Sequence, residues 1–179
     1  MLCVGQPFPN WTCKACVGND HSDLTTINSA DRAIASPDRW SLFLFYPKDF
    51  TFVCPTELVE FGNHIEDFKK RDVDLFGAST DNEFSHLAWR NSHPMLKELP
   101  YPLLSTQNLA NELGITHDVE GVCYRASFLV DPQGIIQWVN VNPLPVGRSV
   151  TEALRVIDAV QSKEMTPCNW SPGKDFVKV

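Results

Sequence analysis

The stretch from Trp40 to Glu57 constrains this chain more than any other. Trp40-Ser41-Leu42-Phe43-Leu44-Phe45 is almost wholly apolar, the pattern of a strand buried on both faces. It runs into Tyr46-Pro47-Lys48-Asp49-Phe50-Thr51-Phe52-Val53-Cys54-Pro55-Thr56-Glu57. Proline lacks an N–H and is comfortable in a helix only within the first turn, so Pro55 predicts a helix start. Cys54 then falls at or beside the N-cap, where unspent N–H groups and the positive end of the helix dipole favour an anion. A thiol so placed is expected to ionise more readily than a free cysteine. Glu57, three residues on, stands at the capping-box position. The loop 47–54 can wrap so that the Thr51 hydroxyl and backbone N–H groups face the sulfur.

Side-chain periodicity fills in the remainder. A helix is predicted from about Pro55 to Arg71, with Leu58, Phe61, Ile65 and Phe68 as its buried stripe. Strands are expected at 24–27, 73–79 and 103–104. A hairpin is expected at 127–130 and 135–139 around Asp131-Pro132-Gln133-Gly134. Short helices follow at 82–91 and at 108–113, the latter stopped by Gly114. Ser149-Val150-Thr151-Glu152 reads as a capping box opening a helix to about Ser162, with Val150, Ala153, Leu154, Ile157 and Val160 facing inward. Residues 1–23 read as irregular chain with room for a short hairpin, 29–39 as a loop with room for a helical turn, and 166–179 as a mobile tail. This order is an α/β pattern with a mixed central sheet and flanking helices, and a thioredoxin-like sandwich fits it. The expected division is a domain at 1–163 and a C-terminal tail at 164–179.

Composition narrows the partners. The 179 residues are 43% hydrophobic and carry a formal charge of −7. An acidic chain of this kind argues against nucleic acid or an anionic membrane as main partner. No segment approaches the ~18 apolar residues of a membrane helix. The first residues show neither basic n-region nor apolar h-region, so the expected compartment is the cytoplasm. There the six cysteines (3, 13, 16, 54, 123 and 168) are expected to be thiols rather than a disulfide framework.

Pro47-x-x-x-Thr51-x-x-Cys54 resembles the Pro-x-x-x-Thr-x-x-Cys signature of peroxiredoxins. The wider Phe50–Glu57 stretch is similar to that of typical 2-Cys, AhpC-type alkyl hydroperoxide reductases of the AhpC/TSA family. The likeness runs from about Trp40 to Trp170, through Ser79-Thr80-Asp81, Ser85-His86-Leu87-Ala88-Trp89, Arg125, Asp131-Pro132 and Gly147-Arg148-Ser149. It implies a thiol peroxidase that reduces hydrogen peroxide and organic hydroperoxides, with Cys54 as the peroxidatic cysteine and Pro47 shielding it. The Thr51 hydroxyl, the Cys54 N–H and the Arg125 guanidinium suit the charge that develops on the departing peroxide oxygen. Arg125 would also favour the thiolate. The resemblance assigns Glu57 and Arg148 to orienting that arginine.

In the family a resolving cysteine comes from the partner subunit's tail, in a Val-Cys-Pro-x-x-Trp setting. Here the tail reads Met165-Thr166-Pro167-Cys168-Asn169-Trp170. Thr166 occupies the usual place, and Cys168 is the resolving candidate. The resemblance further implies an isologous dimer, extended to a decamer of five dimers, and no cofactor or metal. The reductant would be a separate protein: thioredoxin, a flavin disulfide reductase of the AhpF kind, or an AhpD-like adaptor. Sensitive relatives carry a Gly-Gly-Leu-Gly loop and a C-terminal Tyr-Phe pair. Met95-Leu96-Lys97-Glu98-Leu99-Pro100 and a tail without that pair predict fast resolution and resistance to overoxidation.

Two other readings compete. Trp11-Thr12-Cys13-Lys14-Ala15-Cys16 superficially resembles the thioredoxin Trp-Cys-x-x-Cys, which would make the chain a dithiol-disulfide oxidoreductase. The flanking Pro7, Pro9, Asn10 and Gly18-Asn19-Asp20 are the wrong context. With His21 the pair could offer three zinc ligands, but no second Cys/His cluster completes a site. The other alternative is a peroxide sensor or holdase chaperone. Cys123 would share a side with Arg125 if the strand reaches back to it. Trp89 and Trp138 are expected in a core or interface. No glycine-rich phosphate loop or nicotinamide or flavin fingerprint is present, so reducing power must arrive from outside.

Overall fold

The computed structural model describes residues 1–30 and 38–178. Seven strands form one sheet: β1 (Thr12–Cys16), β2 (Leu24–Asn28), β3 (Trp40–Phe45), β4 (Val73–Ser79), β5 (Leu103–Ser105), β6 (Arg125–Val130) and β7 (Ile136–Asn142). Their order is β2-β1-β5-β4-β3-β6-β7. The β3/β4 and β4/β5 pairs are parallel and the others antiparallel, a mixed sheet as expected. With it go the α-helices α1 (Cys54–Asn63), α2 (Ile65–Lys69), α3 (Glu83–Ser92), α4 (Gln107–Leu113) and α5 (Val150–Ser162), and a 3-10 turn at His21–Asp23.

Because side chains alternate along a strand, β3 serves two cores. Leu42 and Leu44 join Leu75, Leu129, Leu58, Phe61, Phe68, Trp89 and Ile157 on one face. Phe43 and Phe45 join Phe76, Phe128, Leu109 and Leu113 on the other. Each fully buried side chain of this size contributes roughly 1.5–3 kcal/mol. The sheet face carrying α1, α2 and α5 also holds Cys54. Trp89 is in this core and Trp138 packs against it, as expected. Gly77 makes the α1 contact possible. A Cβ there would lie 2.6 Å from Leu103 Cδ2 and 3.2 Å from Leu58 Cδ2.

Several sequence expectations need correction. The single helix 55–71 is two, because the backbone leaves helical angles at His64 (φ −99°, ψ 15°). Gly62 and Asn63 just before it are weak helix formers. Its predicted stripe is nevertheless inside, with Leu58, Phe61 and Phe68 buried and Ile65 packed against them. The irregular 1–23 contains β1, which pairs antiparallel with β2. Of the loop expected at 29–39, residues 31–37 lie outside the described residues. Ser149 does cap α5, accepting from the Glu152 N–H. The Glu152 carboxylate turns to Arg155 instead of closing the box.

The tail also differs from the free segment expected. It folds back on α5, with Trp170 buried and stacked against Phe176.

Candidate active site

Strand β3 ends where it must. The Tyr46 N–H still bonds the Ala78 carbonyl, but Pro47 has no N–H to extend the ladder. The chain leaves the sheet through buried Pro47 and returns as α1. Val53 is the N-cap, with no side-chain cap, and Cys54 and Pro55 are the first two helical residues. The Thr56 and Glu57 N–H groups both reach the Val53 carbonyl. Cys54 sits in the first turn, so the helix supplies no carbonyl for its N–H.

The Cys54 sulfur is fully buried, and a cation meets it there. Arg125 opens β6, one strand in from the β7 edge, and points its guanidinium across the start of α1. Its Nη1 lies 3.3 Å from Cys54 Sγ and 2.7 Å from Glu57 Oε2, while Nε donates to the Leu144 carbonyl at 2.6 Å. Arg148 grips the same carboxylate. Its N–H and Nε each reach Glu57 Oε1 at 2.8 Å, and Nη2 reaches Oε2 at 3.1 Å. Arg148 Nη1 donates to the Ala126 carbonyl at 2.9 Å, which fastens the trio to β6.

Glu57 is therefore not a capping-box residue. Two buried guanidinium groups attract its carboxylate more strongly than one N-cap N–H would. Burial alone would raise its pKa, but Arg148 and then Arg125 outweigh that, and the carboxyl is held below its ordinary value. Arg125, Arg148 and Glu57 together carry one net positive charge beside the sulfur. That charge suits a thiolate, or a negative oxygen next to it.

Thr51 is less simple. Its hydroxyl donates to the Lys48 carbonyl at 2.8 Å, not to the sulfur. With its proton committed, the hydroxyl has only acceptor capacity left. Cys168 lies exposed in the tail, and both it and Cys54 are free thiols in this structure.

Sequence reasoning missed a second network behind the loop. The Asp49 carboxylate receives the Tyr46 hydroxyl (2.9 Å), the Ser85 hydroxyl (3.0 Å) and His86 Nδ1 (2.8 Å). The Asp49 N–H bonds Asp81 Oδ2 at 2.8 Å, and that oxygen also takes the Ser79 hydroxyl. These bonds pin the loop 47–54 to the end of β4 and to α3. No spacing rule could have paired residues 37 apart. Phe50, in the same loop, adopts φ 56°, a strained angle for a bulky side chain.

Cys3 is exposed, whereas Cys13, Cys16 and Cys123 are buried and placed for packing. Cys13 and Cys16 lie in β1, where a three-residue separation puts side chains on opposite faces and the Cα atoms ~10 Å apart. A disulfide needs less than ~7 Å. Burial pushes the Cys13 thiol up to about 11, raises Cys16, and pushes Cys123 up to about 12. Strand β6 starts only at Arg125, so Cys123 is not on it. Cys123 bridges to Thr116 and packs in the core opposite Cys54. Among the described residues no helix is long and apolar enough to cross a membrane.

A sheet of this order with a buried cysteine, a bound arginine and a charged trio at a helix start defines a class of cysteine-based redox enzymes. Comparison with known proteins narrows it. Residues 4–139 match the AhpC/TSA family. The chain is 43% identical over 180 residues to alkyl hydroperoxide reductase C of Mycolicibacterium smegmatis, covering 97% of this chain and 92% of that one. It is 39% identical to peroxiredoxin-2 of Cricetulus griseus, covering 98% and 89%. The reduced 2-Cys peroxiredoxin of Plasmodium vivax superposes with a TM-score of 0.88 at 35% identity, covering 97% of this chain and 91% of that one. For Mycobacterium bovis AhpC the values are 0.83, 41%, 95% and 98%. The chain belongs to the AhpC/TSA family and has the thioredoxin-like fold of the peroxiredoxins. It is a thiol-dependent peroxidase.

Proposed function

We propose that Cys54 is the peroxidatic cysteine of an enzyme that reduces hydrogen peroxide and organic hydroperoxides. The observation that carries this reading is the buried Arg125 Nη1, 3.3 Å from Cys54 Sγ and held there by Glu57. A thiolate attacks one peroxide oxygen along the O–O axis. The S–O bond forms, the O–O bond breaks, and its electron pair leaves on the second oxygen, which takes a proton and departs as alcohol or water. Arg125 and the unspent Cys54 N–H donate to the peroxide as negative charge grows on it, so they act more strongly in the transition state than before it. Thr51, with its proton on the Lys48 carbonyl, accepts from the peroxide O–H and aligns it. Pro47 and the Asp49 network shape the pocket and exclude water.

The product is a Cys54 sulfenic acid. Cys168 of a partner subunit then condenses with it, giving a disulfide and water, and a separate thiol protein reduces that disulfide. A thioredoxin, an AhpF-like flavoprotein and an AhpD-like adaptor all suit an exposed tail disulfide. An isologous dimer is supported by the position of β7 at the sheet edge, which residues 5–7 cover only at its start. A larger ring is supported by Phe50, Phe52 and Phe84, all exposed on the active-site loop and on the helix bonded to it. The enzyme is assigned to the cytoplasm, since its thiols need a reducing compartment.

Mass spectrometry of the protein after one equivalent of peroxide tests both halves. Cys54→Ser is expected to abolish peroxide consumption, and oxidised wild type to contain a Cys54–Cys168 intersubunit disulfide. Turnover surviving in Cys54→Ser would overturn the first half. Cys54 joined to any other thiol would overturn the second.

A further inference from the structure

The Cys54 sulfur is fully buried, so only the –OOH end of an organic hydroperoxide can reach it. The remainder of such a substrate stays outside, on the surface around the loop 47–53. Lys48, Phe50 and Phe52 are the exposed side chains of that loop. Of these only Lys48 is charged, because Asp49 turns inward and is 3% exposed.

The Lys48 backbone is fixed beside the reacting groups. Its carbonyl accepts the Thr51 hydroxyl at 2.8 Å, and Thr51 is the residue proposed to align the peroxide. On one side Pro47 is buried, and on the other the Asp49 N–H is held by Asp81 at 2.8 Å. The carboxylates of this region are already engaged. Asp49 receives Tyr46, Ser85 and His86, Asp81 receives Ser79, and Glu57 lies between Arg125 and Arg148. The Lys48 ammonium therefore has no hydrogen-bond or ion-pair partner among the described residues. On its flexible four-carbon stem it sweeps about 6 Å around its Cα. The chain as a whole carries a formal charge of −7, which disfavours the approach of an anion, and a free cation at the entrance offsets that locally.

We propose that Lys48 is a specificity-determining residue that favours organic hydroperoxides carrying a carboxylate a few carbons from the –OOH group over neutral ones. This rests on Cys54 as the peroxidatic cysteine. The carboxylate pairs with the Lys48 ammonium outside the buried site, while the –OOH end meets Cys54, Thr51 and Arg125 as any hydroperoxide would. The pair persists from the bound substrate to the transition state. It therefore raises the second-order rate constant without altering the step at sulfur.

Hexanoate bearing a terminal hydroperoxide and its methyl ester differ at the far end only in that charge. Stopped flow on prereduced protein gives the second-order rate constant of Cys54 oxidation by each. The quantity to compare is their ratio within one protein, in which any general effect of a substitution on the loop cancels. Lys48→Gln should lower the ratio of acid to ester by about 2- to 5-fold, the worth of one exposed ion pair. Lys48→Glu should lower it further, and Lys48→Arg should keep it at the wild-type value. The gap between wild type and Lys48→Gln should close at ~1 M salt, where the screening length is ~3 Å. The same ratio in wild type, Lys48→Gln and Lys48→Glu, with Cys54 oxidised in each, overturns the role of Lys48 alone. A gap of the same size at high salt does so too. Reduction of the acid by Cys54→Ser at the wild-type rate overturns it together with the reading it rests on.

Discussion

Replacing Arg125 by methionine removes the cation beside Cys54 and keeps most of the side-chain volume. A unit charge 3.3 Å from a thiolate is worth about 5 kcal/mol at an effective dielectric of 20. Glu57, bonded to the same nitrogen at 2.7 Å, cancels part of that at the sulfur. What is left matches the loss of one aimed donor in a buried site, about 2.7–4 kcal/mol, or a fall of about 100- to 1,000-fold in rate. The quantity to follow is the second-order rate constant for Cys54 oxidation by peroxide, measured by stopped flow on prereduced protein. Near-ultraviolet circular dichroism shows whether the variant keeps its packing. Arg125→Lys supplies the control. It restores the charge, but a single ammonium cannot span Leu144, Glu57 and the sulfur as the planar fork does, so it should recover only part of the rate. A folded Arg125→Met protein reacting within about threefold of wild type would refute the electrostatic account.

Glu57→Gln should cost about 3–5 kcal/mol of stability at neutral pH, because it strands two buried cations. The Glu57 carboxyl is held below its ordinary value near 4.5, so its contribution is present above that pH and is lost as pH falls through the folded-state value. The gap between wild type and Glu57→Gln in urea denaturation should therefore narrow below pH 4.5; a constant gap would contradict the linkage. Gly77→Ala should cost about 1–3 kcal/mol by overpacking, since Leu103 would have to move away from the new methyl, and a thermal midpoint equal to wild type would contradict it. Asp49→Asn should weaken the hold on the loop 47–54 and quicken hydrogen exchange at 48–56, with no such change at α5. Cys13→Ser and Cys16→Ser should leave peroxide turnover unchanged, and a loss of turnover would revive the dithiol reading.

Strands and helices were legible where one rule dominated. The alternation of Leu42 and Leu44 against Phe43 and Phe45 needs no knowledge of topology, because any sheet with two cores sorts them that way. Pro55 announced the helix start for a similarly local reason. Glu57 shows where local rules stop. Its spacing from the N-cap suggested a cap, but the residues that capture it, Arg125 and Arg148, are 68 and 91 positions away. Burial makes that distant pairing outweigh the nearby one. The family resemblance supplied the trio, which spacing could not. The pairing of Asp49 with His86 is invisible to spacing; the resemblance includes the stretch around His86 but says nothing of its partner, and only the return of α3 over the loop joins them. The tail misled in a different way. Pro, Gly and Lys signal exposed chain, yet one tryptophan and one phenylalanine suffice to close it.

The active-site loop has to serve two states, and the bonds that hold it explain how it can. Backbone bonding at the start of α1 is thin. Val53 lends no side-chain cap, Pro55 has no N–H, and Phe50 sits at φ 56°, a conformation costing about 1–3 kcal/mol. What keeps the first turn closed is chiefly charge: Glu57 between Arg148 and Arg125, and Arg125 against the sulfur. A thiolate at Cys54 strengthens that hold, whereas a neutral sulfenic acid withdraws the negative charge facing Arg125. Oxidation thus removes one attraction from a turn that has few others, and the strain at Phe50 favours release. In the proposed cycle the positive charge that speeds the attack on peroxide also holds the reduced site shut, and loss of the sulfur's negative charge on oxidation loosens the turn when a second thiol has to reach Cys54.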